Sequence, residues 1–302
     1  MRSAACILLY LVAVIIVGAL LAPPLYRLTV QLSALAPLSF LGDVPFQRVA
    51  NRAFLIVALI GLYPLFKGLS LKGKHEWGYG IDAGGGVRAV VVGLLLGVAM
   101  LAVMVTVEYA LGLLVRDPDH TIGVVLRAAA TGLVAGLVIG VIEETFFRGA
   151  LYTVFRQEWG TGAAIAVTSV VYAAVHFIRS RGDFETVTWT SGFEVFGGAF
   201  TKYYSESTTI GPFLALLAVG VFLALLRTHF GHIAYNIGLH AGWILVIRSG
   251  RRLTDLDRTS PLAWLAEGYD SITGYLAFFY LILIIAICVV AVRYRSCLRE
   301  ED

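Results

Sequence analysis

Two adjacent carboxylates and a guanidinium, Glu143, Glu144 and Arg148, stand in a run that otherwise reads as membrane. The stretch 131–142 before them is almost wholly apolar, and Leu151 to Phe155 resume that character after them. A charge at the centre of a membrane helix costs about 2.5–3.5 kcal/mol on insertion scales, so these groups must face a bundle interior, a partner charge or a wet cavity. Glu144 and Arg148 are spaced i and i+4 with the acid first, the favourable order for a helical ion pair. Glu143, about 100° further round the helix, falls outside that pair and is the acid expected to do chemistry, as a general base. Glu144 with Arg148 is the expected structural pair.

Of the six histidines, His75 and His120 fall in loops and read as surface residues, while His229 and His232 flank a tight turn and read as interfacial. His176 and His240 differ, because each lies inside an apolar span. With a rise of ~1.5 Å per residue from one membrane face, Glu143 comes to a depth of ~20 Å, His176 to ~24 Å and His240 to ~14 Å. Helix tilt absorbs such differences. An acid and two imidazoles from three helices can then meet at one level, as a buried hydrolytic site requires.

The elements that must position them are membrane helices. Of the 302 residues, 59% are hydrophobic and only 14% charged, against about 25% charged in ordinary soluble domains. Apolar runs long enough to span a bilayer recur along the chain. The expected fold is an all-α polytopic bundle of about eight transmembrane helices, near 5–22, 51–69, 88–115, 122–156, 160–178, 210–227, 231–249 and 271–293. The chain reads as one integral membrane domain over 1–302, with a catalytic core at 122–244. The first run is expected to be a retained helix rather than a cleaved signal, because it is long and Pro23-Pro24 follow it directly.

Lys and Arg divide almost evenly between the two sides, so the positive-inside rule does not orient the bundle. A net charge of +3, scattered along the chain, excludes a nucleic-acid partner. Cys6, Cys288 and Cys297 form no metal spacing and read as small packing residues or tail.

Gly132, Gly136 and Gly140 recur every fourth residue, the small-xxx-small pattern that lets helix backbones approach closely. The same row runs on into Glu144 and Arg148, so the charged residues lie on a helix–helix interface. In the connection 179–209, Trp189, Phe193, Phe196, Phe200 and Tyr203 form a helical apolar stripe. That stripe is either an anchor at the headgroup level or a gate over the site.

Glu143-Glu144-x-x-x-Arg148, then Tyr172-Ala-Ala-Val-His176, then His240 within Ile237-Gly-Leu-His-Ala-Gly-Trp243, resembles the CPBP family. That family holds the CAAX-processing proteases, with the Ras-converting enzyme, and bacteriocin-processing relatives. The resemblance covers roughly Gly132 to Trp243. It implies an eight-helix intramembrane protease of the glutamate type, in which Glu143 with His176 activates water and His240 helps hold the oxyanion. It implies a membrane-anchored protein or peptide as substrate, the lipid bilayer as surroundings, and a bacterial cytoplasmic membrane as location. No cofactor is expected, and no metal, since HExxH-type spacing is lacking.

Two departures stand out. Tyr172 replaces the family's usual Phe, one turn before His176. Ile244 occupies the place, four residues after the last His, where the family carries Asn or Asp. Asn236, four residues before His240 on the same helix face, is expected to substitute as an oxyanion or His-orienting donor. Two readings from other classes stand beside the protease: a catalytically silent binding or immunity protein of the same fold, and a proton-coupled transporter using Glu and His as a relay.

Overall fold

In hydrocarbon a chain has no partner for its N–H and C=O groups except itself, so the apolar runs of this sequence become helices. The computed structural model describes residues 2–117, 120–176, 184, 186–203, 210–266 and 273–300. The helices are α1 (Arg2–Ser33), α2 (Phe46–Gly68), α3 (Ala83–Ala110), α4 (Ile122–Glu144), α5 (Tyr152–His176), α6 (Ser191–Tyr203), α7 (Ile210–Phe230), α8 (Ala234–Gly250) and α9 (Tyr275–Glu300). Among the described residues, six helical stretches are long and apolar enough to cross a membrane. The all-α polytopic bundle is what the sequence predicts, and the count of eight is reached only by a particular reading of those six. One stretch, Ile122–His176, is 55 residues long and breaks at Gly160, whose φ of 84° lies in the left-handed region that favours glycine. That break separates the expected fourth and fifth spans. The remaining expected span corresponds to α8, 17 residues.

The first helix also differs from expectation. Pro23 and Pro24 lie inside α1, which continues to Ser33 instead of ending at residue 22. A proline disturbs the helix only at its own turn, and the apolar residues beyond have no better partner than the continuing helix.

The chain falls into two compact units. The first contains residues 1–72 and 175–207. Its core is Ala22, Phe46, Ala50, Ala53 and Val195, with the Phe46 ring met edge-on by Tyr26 at 5.4 Å and by Phe184 at 5.1 Å. Part of the aromatic stripe is helical, as α6: Phe196 tilts against Phe54 at 6.5 Å, and Trp189, just before α6, receives the Arg27 guanidinium at 4.9 Å. Residues 177–183, 185 and 204–209 of the connection that carries it lie outside the described residues.

The second unit contains residues 73–174 and 208–302, and α8 lies at its centre against both α3 and α4. Glycine makes both contacts close. A Cβ at Gly238 would run into the Val90 carbonyl oxygen, and one at Gly136 would meet Ala241 Cα at 2.7 Å. Along α8, Gly93 and Gly97 of α3 touch Tyr235 and Leu239 in rising order, so the two helices run the same way. Gly140, Gly136 and Gly132 of α4 meet Ile237, Ala241 and Leu245, so α4 runs the opposite way. The far ends of α3 and α8 are tied by a two-stranded antiparallel sheet, β1 (Leu114–Arg116) on β2 (Thr254–Leu256), with Leu114 opposite Leu256.

Candidate active site

The helix that carries the acids does not stop at them. After Glu144 the backbone widens into a π-helical turn, Thr145–Leu151, before continuing as α5. Such turns re-aim the side chains around them and recur at functional sites. Thr145 Oγ1 donates to the Val141 carbonyl at 2.5 Å. The hydroxyl of Tyr79, 2.5 Å away, therefore donates to Thr145 Oγ1. Burial, with the negative Glu144 nearby, pushes the Tyr79 phenol above its usual range, and this preserves it as a donor.

Tyr79 belongs to the loop 73–82, which is bound to the turn at further points. Thr153 Oγ1 donates to the Glu76 carbonyl at 2.8 Å, and Ile233 N donates to the Gly78 carbonyl at 2.8 Å. A Cβ at Gly149 would lie 2.6 Å from the Trp77 carbonyl oxygen.

Glu144 and Arg148 are both fully buried and form the ion pair, with Nη1 to Oε1 at 2.9 Å. Isolated, either charge would be several kcal/mol too costly for such a position; pairing with further hydrogen bonds is what makes it tenable. Arg148 Nη2 donates to the Gly220 carbonyl at 3.2 Å. Its guanidinium lies over the Tyr172 ring at 4.5 Å, and Phe147 meets that ring edge-on at 5.1 Å. On the other oxygen of Glu144, Asn236 Nδ2 donates to Oε2 at 3.1 Å.

Glu143 and His240 are brought together, with Oε2 and Nε2 3.9 Å apart. The other ring nitrogen of His240, Nδ1, is 3.5 Å from Glu144 Oε1. His240 is thus flanked by both acids. The Glu143 side chain keeps 24% of its surface, against none for Glu144, while its Oε2, the oxygen nearest His240, is buried.

His176 is the last described residue at the end of α5, half-buried, and is grouped with the first compact unit, whereas Glu143, Glu144, Arg148, Tyr172, Asn236 and His240 all lie in the second. Ile244 turns toward α4: a Cβ at Gly136 would lie 3.2 Å from Ile244 Cβ. Among the described residues, no three His, Cys, Asp or Glu side chains are grouped as a metal cradle.

Several residues of this region carried no signal in the sequence. Arg227 counts there as a loop charge, yet it is buried and donates through Nε to the Arg148 carbonyl at 3.2 Å, through Nη2 to the His75 carbonyl at 3.1 Å, and through Nη1 to the Gly231 carbonyl. Tyr79 and Thr145 look like ordinary polar residues beside an apolar run. His232, expected at the interface, is buried and stacks on Tyr235 at 5.4 Å. Only the lone Arg at the end of an apolar span could have been noticed.

Residues 125–246 match a family model described as Rce1-like, type II CAAX prenyl endopeptidase Rce1-like. No curated protein matches, and no solved structure does.

Proposed function

We propose, for a chain whose residues 125–246 belong to the CPBP family of CAAX-processing proteases, an intramembrane endopeptidase of the glutamate type. The observation that carries this reading is the approach of the Glu143 carboxylate, whose side chain is only partly buried, to the His240 imidazole at 3.9 Å, beside the buried Glu144–Arg148 pair. Two groups at that separation are too far apart for a direct hydrogen bond and near enough to act on one small molecule between them.

In this mechanism Glu143 takes a proton from water as the oxygen attacks a peptide carbonyl. His240, protonated on both ring nitrogens, donates from Nε2 to the oxyanion as the carbonyl carbon becomes tetrahedral. The family resemblance assigns His176 as the partner of Glu143. Glu144 and Arg148 hold the turn that presents the base. The substrate is a membrane-associated protein or peptide, and the chain works as an integral membrane protein.

A second reading has one observation in its favour. Ile244 presents hydrocarbon where the family carries an amide or acid, and it packs against Gly136. A silent relative that binds a partner without cutting it would tolerate that exchange.

The deciding experiment incubates the purified protein, in detergent or nanodiscs, with membrane-anchored candidate substrates. Cleavage that is lost in Glu143→Ala and survives strong chelation supports the protease. Binding of the same substrates without cleavage supports the silent relative.

A further inference from the structure

Asn236 lies one turn before His240 on α8, fully buried. Both hydrogens of its amide are committed, one to Glu144 Oε2 at 3.1 Å and one to the Leu223 carbonyl at 2.9 Å. Reversing the amide would set its oxygen against a carboxylate and a carbonyl, so chemistry fixes its orientation. With both hydrogens used, Asn236 has none left for an oxyanion.

What it holds is Glu144. That carboxylate accepts from Arg148 on Oε1 at 2.9 Å and from Asn236 on Oε2, and His240 Nδ1 stands 3.5 Å from the same Oε1. An ionised carboxylate only accepts. A hydrogen shared between Nδ1 and Oε1 therefore resides on the nitrogen. Nδ1 is buried and, among the described residues, makes no hydrogen bond of full geometry, with Glu144 Oε1 the acceptor that stands beside it at 3.5 Å, and buried polar groups are rarely left unmatched. Contacts of this kind are commonly long in an unliganded site and shorten when substrate binds.

We infer that Glu144 keeps the proton on Nδ1 of His240, so that Nε2 is the nitrogen turned to Glu143 and the reacting groups, and that Asn236 and Arg148 are positioning residues holding the two oxygens of Glu144 for this task. The inference deepens the protease reading, on which its catalytic consequence rests; the position of the proton does not depend on it. It also gives Asn236 a role one step back from the chemistry, distinct from the donor role that the vacated position at Ile244 suggests.

The test is ¹⁵N NMR of the full chain in micelles with labelled histidine, the His240 signals being assigned by their loss in His240→Asn. The expected result is an Nδ1 that stays protonated while Nε2 changes its proton with pH. A bare Nδ1 beside a protonated Nε2 in the native protein overturns the inference. In Asn236→Leu, with the other five histidines unshifted, a second population with the proton on Nε2 should appear; an unchanged pattern overturns the part assigned to Asn236. Should Asn236→Leu not fold, the smaller and polar Asn236→Thr is read in the same way.

Where cleavage is measurable, Asn236→Leu should lower kcat by about 10²-fold, the lower end of what a positioned acid–base group contributes, and leave KM unchanged. A rise in KM at constant kcat counts against positioning. A native protein that cleaves nothing yet holds its proton on Nδ1 defeats the protease reading and leaves this one standing.

Discussion

Arg227 bonds to the backbone of another buried arginine: its Nε donates to the carbonyl oxygen of Arg148 at 3.2 Å. With its other nitrogens on the carbonyls of His75 and Gly231, it joins the π turn, the loop 73–82 and the α7–α8 turn. Arginine suits this task because its donors are spread in a rigid fork. In Arg227→Leu the bonded carbonyls lose their donor, at about 1–3 kcal/mol for each one left unsatisfied. Thermal unfolding in detergent should shift down accordingly, and protease clipping within 73–82 should quicken. Arg227→Lys should recover only part of the loss.

The Glu144–Arg148 pair makes a sharper stability test. Arg148→Met leaves a buried carboxylate without its cation and should destabilise by about 3–5 kcal/mol. The double variant Glu144→Leu with Arg148→Met should recover much of that loss, because no charge remains buried. A double-mutant cycle of unfolding free energies reads the coupling directly. Additive losses would mean that the two side chains do not act as a pair.

Gly136 and Gly123 lie on the same helix and should answer a methyl group oppositely. At Gly136 the new Cβ would meet the α8 backbone, Ala241 Cα at 2.7 Å, whereas at Gly123 its nearest neighbour is Thr121 Oγ1 at 3.9 Å. Gly136→Ala should cost about 1–3 kcal/mol through overpacking. Gly123→Ala should be neutral or gain up to about 1 kcal/mol from reduced backbone freedom. Unfolding midpoints of the two variants check this, and a common response would show that α4 and α8 are not in backbone contact at Gly136.

His232 lies in the turn between α7 and α8, and its Nδ1 accepts from Ala234 N at 3.3 Å. Burial first, and then the charge of Arg227, hold its imidazole below the usual value of 6.5. The unfolded chain therefore binds the proton more readily, and stability rises with pH across this window. The contribution is fully present above about pH 6.5, the ordinary histidine value, and is lost as pH falls through the lower folded value. The pH dependence of the unfolding midpoint should be flatter in His232→Gln than in the native chain. Equal slopes would mean that the native ring is not held neutral by its surroundings.

The all-α membrane architecture was legible because burial in hydrocarbon leaves so few choices. Apolar runs of 20 or so residues must become helices. The glycine row at 132, 136 and 140 pointed to a close helix contact, since small residues at every fourth position have few other uses in a membrane. Charges in the same row, Glu144 and Arg148, were legible as a pair for the same reason: nothing else within a turn could offset their burial.

Tertiary structure decided which groups meet. Local spacing describes one helix face, whereas the Asn236–Glu144 bond joins residues 92 positions apart and the Arg227–Arg148 bond 79 apart. The π turn Thr145–Leu151, to which Arg227 bonds through the Arg148 carbonyl, lies in a run whose composition does not set it apart from the helix on either side. By itself, then, the sequence determined that charged side chains had to be enclosed among helices. Their hydrogen-bond partners, with the contrast between a fully enclosed Glu144 and a partly exposed Glu143 side chain, came from packing between distant segments.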